Sequence, residues 1–203
     1  MTALLGEAAG AIALLELDAA AVGPLLLSRP FVVGPLVGWA CGDPWTGAAL
    51  GAIFETLTLE ELPLGGCLDF SAPVAAGTAA FLASVHGGLP GEAAFPAGLA
   101  AGWAHARLES RLRRGRGYHA RRLEAAVAEG RTPRYGAEIA EALLLQAAAT
   151  FALTLAVLTL AAPALDRIWP LLPEFVRAGA RAAYLAAPWI GGGSLAASLW
   201  RRS

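Results

Sequence analysis

Three carboxylates stand where an otherwise apolar chain changes character: Asp43, Glu55 and Asp69. An ionised carboxylate only accepts hydrogen bonds, and its two oxygens serve several hydroxyl or amide donors. Bonds to a charged acceptor are the stronger kind. In hydrocarbon such a group is costly, and it persists where it lines a cavity or is paired. Each therefore has a structural reading beside a binding one. Asp43, just before Pro44, has the type and place of a helix N-cap. Glu55 can pair with Arg29 and fix two segments, and Glu60 and Glu61 suit an interfacial position. His86, His105 and His119 are isolated and read as interface or loop histidines. Cys41 and Cys67 lie in apolar surroundings without CxxC spacing, which indicates neither a metal site nor a disulfide. No catalytic group, metal or cofactor is expected.

The element that must position these groups is the stretch SRPFVVGPLVGWACGDPWTGAALGAIFE, residues 28–55. Its glycines recur every four residues, as Gly34, Gly38 and Gly42, then as Gly47 and Gly51. Residues four apart share one helix face, so each run is a stripe without side chains. Between membrane helices, where burial of apolar surface adds little, such stripes let backbones approach closely. Pro44 lacks an N–H and disfavours helix at Asp43, so the segment is expected to break there into two half-helices. The plainer alternative is a glycine-rich helical pair in a soluble core.

Composition decides against that alternative. Of 203 residues, 57% are hydrophobic and 15% charged, against about 25% charged in soluble domains. The mean hydropathy is +0.56. The chain reads as an all-α polytopic integral membrane protein with broken or re-entrant helices. Its single membrane domain spans 1–203, with an N-terminal transmembrane and re-entrant part over 1–106. A cytoplasmic Arg-rich helical segment comes next, over 107–136, then a C-terminal transmembrane part over 137–203.

Residues 3–27 form a first membrane helix expected to end near Gly23-Pro24, and their three acids argue against a signal peptide. After Glu55 comes TLTLEELPLGGCLDFSAP, too polar for lipid and too apolar for a surface loop, which suits a cavity-lining connection. Two short apolar segments, 73–89 and 95–106, suggest a helical hairpin. All fifteen basic residues are arginine, and nine of them fall within 107–134, which places that block in the cytoplasm. Glu109, Glu124 and Glu129 interleave with them, so the block reads as a solvated helical surface rather than a nucleic-acid site. Residues 137–163 are the clearest span, with Gln146 the one polar amide in their long apolar run. The last segment, 175–200, is expected to be interrupted at Pro188 and Gly191-Gly192-Gly193, and Trp169, Trp189 and Trp200 fit interfacial belts.

Together these residues carry a resemblance. The run LDAAAVGPLLLSRPFVVGPLVGWACGDPWTGAALGAIFE is similar to the N-terminal signature of the IIC subunit of mannose/fructose/sorbose-type sugar phosphotransferase systems. Asp18, Ser28-Arg29-Pro30, Gly34-Pro35, Gly38, Gly42-Asp43, Gly47, Gly51 and Glu55 fall in its register. Pro63 and Gly65 match the family's P.G turn, and Leu172-Pro173-Glu174, Gly179 and Ile190-Gly191-Gly192 resemble a later segment. The match departs at two points. Phe70-Ser71 stand at the positions of a proline–aspartate pair, with Asp69 just before them. The family's sequences also continue through further membrane segments where this chain reaches Ser203.

The resemblance implies a permease subunit in a bacterial plasma membrane, with a sugar substrate and a IID membrane partner in a homo- or hetero-oligomer. Cytoplasmic IIA and IIB proteins would carry the phosphoryl chemistry. It places Asp43, Glu55, Asp69 and Ser71 on the sugar path, and gives Arg29, Pro30, Gly34, Gly38, Gly42, Gly47 and Gly51 to packing. Lipids are the other partner, and nucleic acid is not one. Two classes of function remain: a sugar permease subunit, or a related non-transporting assembly or regulatory partner.

Overall fold

Every element among the described residues is helical. The computed structural model describes residues 2–18, 26–58 and 70–202. The elements are α1 (Thr2–Leu17), α2 (Pro30–Ala40), α3 (Pro44–Thr58), α4 (Ala72–Ser84), α5 (Gly91–Ala128), α6 (Tyr135–Ile168) and α7 (Glu174–Arg202). A 3-10 turn, Trp169–Leu171, links the last two. Residues 59–69 of the polar connection, Asp69 among them, like Gly23-Pro24, lie outside the described residues.

The break at Asp43-Pro44 falls where the sequence places it, and local chemistry explains why. Pro30 opens α2 at a position that needs no N–H. At the far end Gly42 takes φ +92, a backbone that a side chain would strain. Its N–H donates to Trp39 O at 3.1 Å, and the Asp43 N–H donates to Gly38 O at 2.9 Å. This Schellman motif stops the helix and satisfies its last carbonyls. α3 then starts at Pro44 and folds back antiparallel. At 1.5 Å per residue the two arms are about 16 and 22 Å long, both short of a hydrocarbon core of about 30 Å.

The two arms meet along their glycines. A Cβ on Gly34 would lie 2.8 Å from Gly51 Cα, and one on Gly38 would lie 2.9 Å from Gly47 Cα. A Cβ on Gly47 would run into Gly34 O, and one on Gly51 into Pro30 O. Four of the five glycines thus form the interlocking face the spacing predicts. Gly42 does not join it: nothing lies within 4 Å of its Cβ position, and its work is the turn. The four-residue count could not separate the stripe from the cap that ends it.

α4 is the enclosed element, with α1, α2, α3 and α5 around it. Its Val74, Ala75, Ala76, Ala79, Ala80, Phe81 and Leu82 are all buried. Small side chains let several helices reach one backbone at once. Phe54 of α3 packs on Phe95 of α5 with ring centroids 5.3 Å apart, and Phe95 meets Tyr184 of α7 edge-on at 5.9 Å. α4 and α5 form the expected hairpin, but α5 does not stop at 106. It continues unbroken to Ala128, about 57 Å in all. Seven of the nine arginines of the block therefore lie on the outer part of one helix, while Arg131 and Arg134 fall in the link before α6.

α6 with its 3-10 extension, Tyr135–Leu171, is the one described helix long and apolar enough to cross a membrane by length and composition. α7 differs from expectation. It runs through Pro188 and the three glycines without interruption. Proline and glycine are tolerated in membrane helices when neighbours satisfy the backbone. Gly191 has a specific use, since a Cβ there would collide with the Thr56 backbone of α3. Leu144 and Leu160 of α6, and Phe175, Trp189 and Trp200 of α7, are exposed, a broad apolar surface suited to lipid or a membrane partner.

Candidate functional site

Helix polarity places the expected carboxylates at opposite ends of the hairpin. Asp43 sits at its tip and Glu55 near its foot, twelve residues along α3, which is about 18 Å of helical rise. They do not form one site. Asp43 Oδ1 accepts the Thr46 N–H at 3.1 Å, an N-cap of α3 reinforced by Pro44. Glu55 has two partners. Arg29 Nη1 donates to its Oε1 at 3.2 Å, and the Phe31 N–H, one of the orphan donors opening α2, donates to Oε2 at 3.3 Å. That geometry ties the end of α3 to the start of α2. Asp18 does similar work beside it, accepting the Leu27 and Ser28 N–H groups at 2.9 and 3.2 Å.

Ser71 stands at the head of α4, where the polar connection re-enters the described chain. Its N–H donates to Gly102 O at 3.1 Å, while its carbonyl oxygen lies 2.8 Å from where a Cβ on Gly102 would be. Its side chain makes no capping bond. The buried Oγ has no hydrogen-bond partner among the described residues.

On α1, α5 and α6 lies a polar cluster that no single stretch of the sequence announces. Glu16, His105, Glu109, Gln146 and Thr150 are each 2% exposed or less, a strong departure from how such residues are usually placed. Gln146 Nε2 donates to Glu16 Oε2 at 3.3 Å, and Arg116 Nη2 donates to Gln146 Oε1 at 2.7 Å. Glu109 Oε1 accepts from Arg113 Nε at 2.9 Å and from Arg116 Nη2 at 3.1 Å. His105 Nε2 and Thr150 Oγ1 are 2.9 Å apart, with Glu16 Oε1 3.9 Å from the same nitrogen. His105 Nδ1 and Glu109 Oε2 remain buried without a partner among the described residues.

The signal for this cluster was present. His105, Glu109 and Arg116 recur at i, i+4 and i+11, and Gln146, Thr150 and Thr154 at i, i+4 and i+8. A polar stripe within a long apolar helix is the mark of an interior face. Reading the histidines and the glutamine singly hid it.

Chemically the cluster provides fixed charge pairs and a few open acceptors and donors; its one hydroxyl–imidazole pair, Thr150 with His105, is fully buried, away from any substrate. The described groups with metal-ligand geometry are His119, Glu138 and Glu141. There Arg122 already bonds both carboxylates, at 3.4 and 3.5 Å, so a guanidinium supplies the positive charge.

No curated protein matches the chain. A solved protein described as "Structure of membrane protein" has the same fold, with a TM-score of 0.82 over 98% of this chain and 80% of that one, at 18% identity. The family of the sorbose-specific IIC component of the phosphotransferase system matches residues 7–203. The resemblance drawn from the signature run therefore extends along almost the whole sequence, and the chain belongs to this IIC family of all-α membrane proteins.

Proposed function

We propose that this chain is the sugar-translocating permease subunit of its phosphotransferase system, and that the sugar passes the end of the bundle where Ser71 lies. It sits in a bacterial inner membrane as a multi-pass protein beside a IID subunit, with the arginine-rich half of α5 in the cytoplasm. The family match supports the permease role. The observation that carries the path is the Ser71 hydroxyl, buried and without a partner among the described residues at the mouth of the polar connection. A buried hydroxyl left unbonded is costly, and a sugar hydroxyl removes that cost on binding. Asp69, two residues earlier, is the carboxylate assigned to the same path. Asp43 and Glu55 are assigned to the scaffold, as a helix cap and an ion pair.

Ser71→Ala tests this. The side chain makes no capping bond, so folding yield should be unchanged. Loss of one neutral hydrogen bond, about 0.5–1.5 kcal/mol, should weaken sugar binding by up to roughly tenfold. Normal yield with unaltered sugar affinity would remove Ser71 from the path. Sugar uptake in a strain lacking its own permease, with the partner subunits supplied, tests the role itself. No uptake from a well-folded complex favours the non-transporting reading.

Glu55→Gln separates scaffold from path at the other carboxylate. The Arg29 side chain is 47% exposed, so its ion pair contributes below about 1 kcal/mol, and a glutamine can still accept the Phe31 N–H. We expect near-normal yield and unchanged sugar affinity. A ten- to hundredfold loss of affinity would return Glu55 to the path, since bonds to charged groups are worth about 1.5–3 kcal/mol.

A further inference from the structure

Along α5, Trp103, Arg107, Arg111, Arg114, Tyr118 and Arg121 are all exposed. At 100° per residue they fall within an arc of about 80°, one stripe along the helix. No ion pair with a carboxylate engages any of its four arginines among the described residues. Two of the three glutamates that interleave with the block point away from the stripe. Glu109 is buried on the opposite face and takes Arg113 and Arg116, while Glu129 takes Arg131. The interleaving in the sequence thus resolves into a paired inner face and an unpaired basic outer face.

The lower end of the stripe carries a depth marker. Trp103 is exposed, and the Arg107 guanidinium stacks over its ring at 4.0 Å. Exposed tryptophan at the end of an apolar helix half sits at headgroup level. Counted from Arg107, whose guanidinium rests on the Trp103 ring, the axial rise is about 6 Å to Arg111, about 10 Å to Arg114 and about 21 Å to Arg121. The headgroup layer is about 5–7 Å thick, and long arginine side chains reach back toward it. The first three arginines therefore lie within reach of lipid phosphates, and the fourth does not.

We propose that Arg107, Arg111 and Arg114 form a binding site for anionic phospholipid headgroups, seated on Trp103. Guanidinium forks match phosphate oxygens in pairs, which point-charge attraction alone does not require. The site anchors the point where α5 leaves the bilayer.

The test is a native mass-spectrometric titration of the purified full chain with phosphatidylglycerol, and in parallel with phosphatidylcholine. Wild type should take up phosphatidylglycerol preferentially, in a salt-sensitive manner. At roughly a factor of five per arginine, R107Q/R111Q/R114Q should lower that affinity on the order of a hundredfold and leave phosphatidylcholine uptake alone. Thermal unfolding in phosphatidylcholine nanodiscs should be the same for both proteins, which excludes misfolding as the cause. R121Q should bind phosphatidylglycerol like wild type. Equal uptake of the two lipids by wild type, or full retention by the triple variant, overturns the site. So does an R121Q protein as impaired as the triple variant, because a stripe used along its whole length belongs to an acidic protein surface.

Discussion

Gly47→Leu should abolish folded protein, and Gly47→Ala should destabilise it by about 1–3 kcal/mol, the range for overfilling a packed interior. A Cβ on Gly47 meets backbone, Gly34 O and the Gly38 Cα at 2.8 Å, and neither can rotate away as a side chain could. Gly34→Ala should behave in the same way from the other arm. Two controls isolate the cause. Gly6 of α1 has nothing within 4 Å, so Gly6→Ala should be neutral or stabilising by about 0.5–1 kcal/mol. Gly42→Ala has room but the wrong backbone, at φ +92, and should cost about 1–2 kcal/mol. Thermal unfolding in detergent, read with the yield of monodisperse protein, ranks the four. A Gly47→Leu protein with wild-type yield would mean that the arms do not interlock.

Glu109→Ala should be nearly as damaging. One oxygen of this side chain holds both Arg113 and Arg116, and Arg116 in turn holds Gln146. Breaking a buried pair by removing one partner costs about 3–5 kcal/mol. The low end, about 3 kcal/mol, applies here because the two guanidiniums are 31% and 33% exposed and can turn toward water. Arg113→Ala should cost much less, because Arg116 still satisfies the carboxylate. Unfolding midpoints of the two variants measure the difference. If Glu109→Ala were as mild as Arg113→Ala, the cluster would not hold α5 to α6.

How much of this was legible in the chain depends on the range of the interaction involved. The hairpin was readable because its signals are local: a four-residue glycine period, a proline, and an acid to cap the second arm. That each glycine run is a close-approach face was readable too, but that the two runs are each other's partner came only with the fold. What the sequence left open was the direction of side chains on long helices. Gln146 looked like a lone amide and Glu109 like one charge among nine arginines, because their partners lie 130 and seven residues away. Pro188 looked like a break, because nothing in its neighbourhood reveals that Gly191 lies against the Thr56 backbone. For the candidate site, the sequence grouped Asp43 with Glu55 by chemical type, whereas a helix of fifteen residues keeps them apart.

The uninterrupted course of α5 makes it a lever. Its inner half is gripped by α4, and the stretch beyond Glu109 runs about 28 Å further, tied to α6 through Arg116–Gln146, His119–Glu138 and Arg122 on Glu138 and Glu141. An arm of that length moves its far end by about half an ångström for every degree through which the gripped half rocks. Gly115 and Gly117 are its soft point, each about 1 kcal/mol less favourable in a helix than alanine. Stiffening them would carry small rotations inside the bundle faithfully out to Ala128, and loosening them would uncouple the two ends without disturbing either.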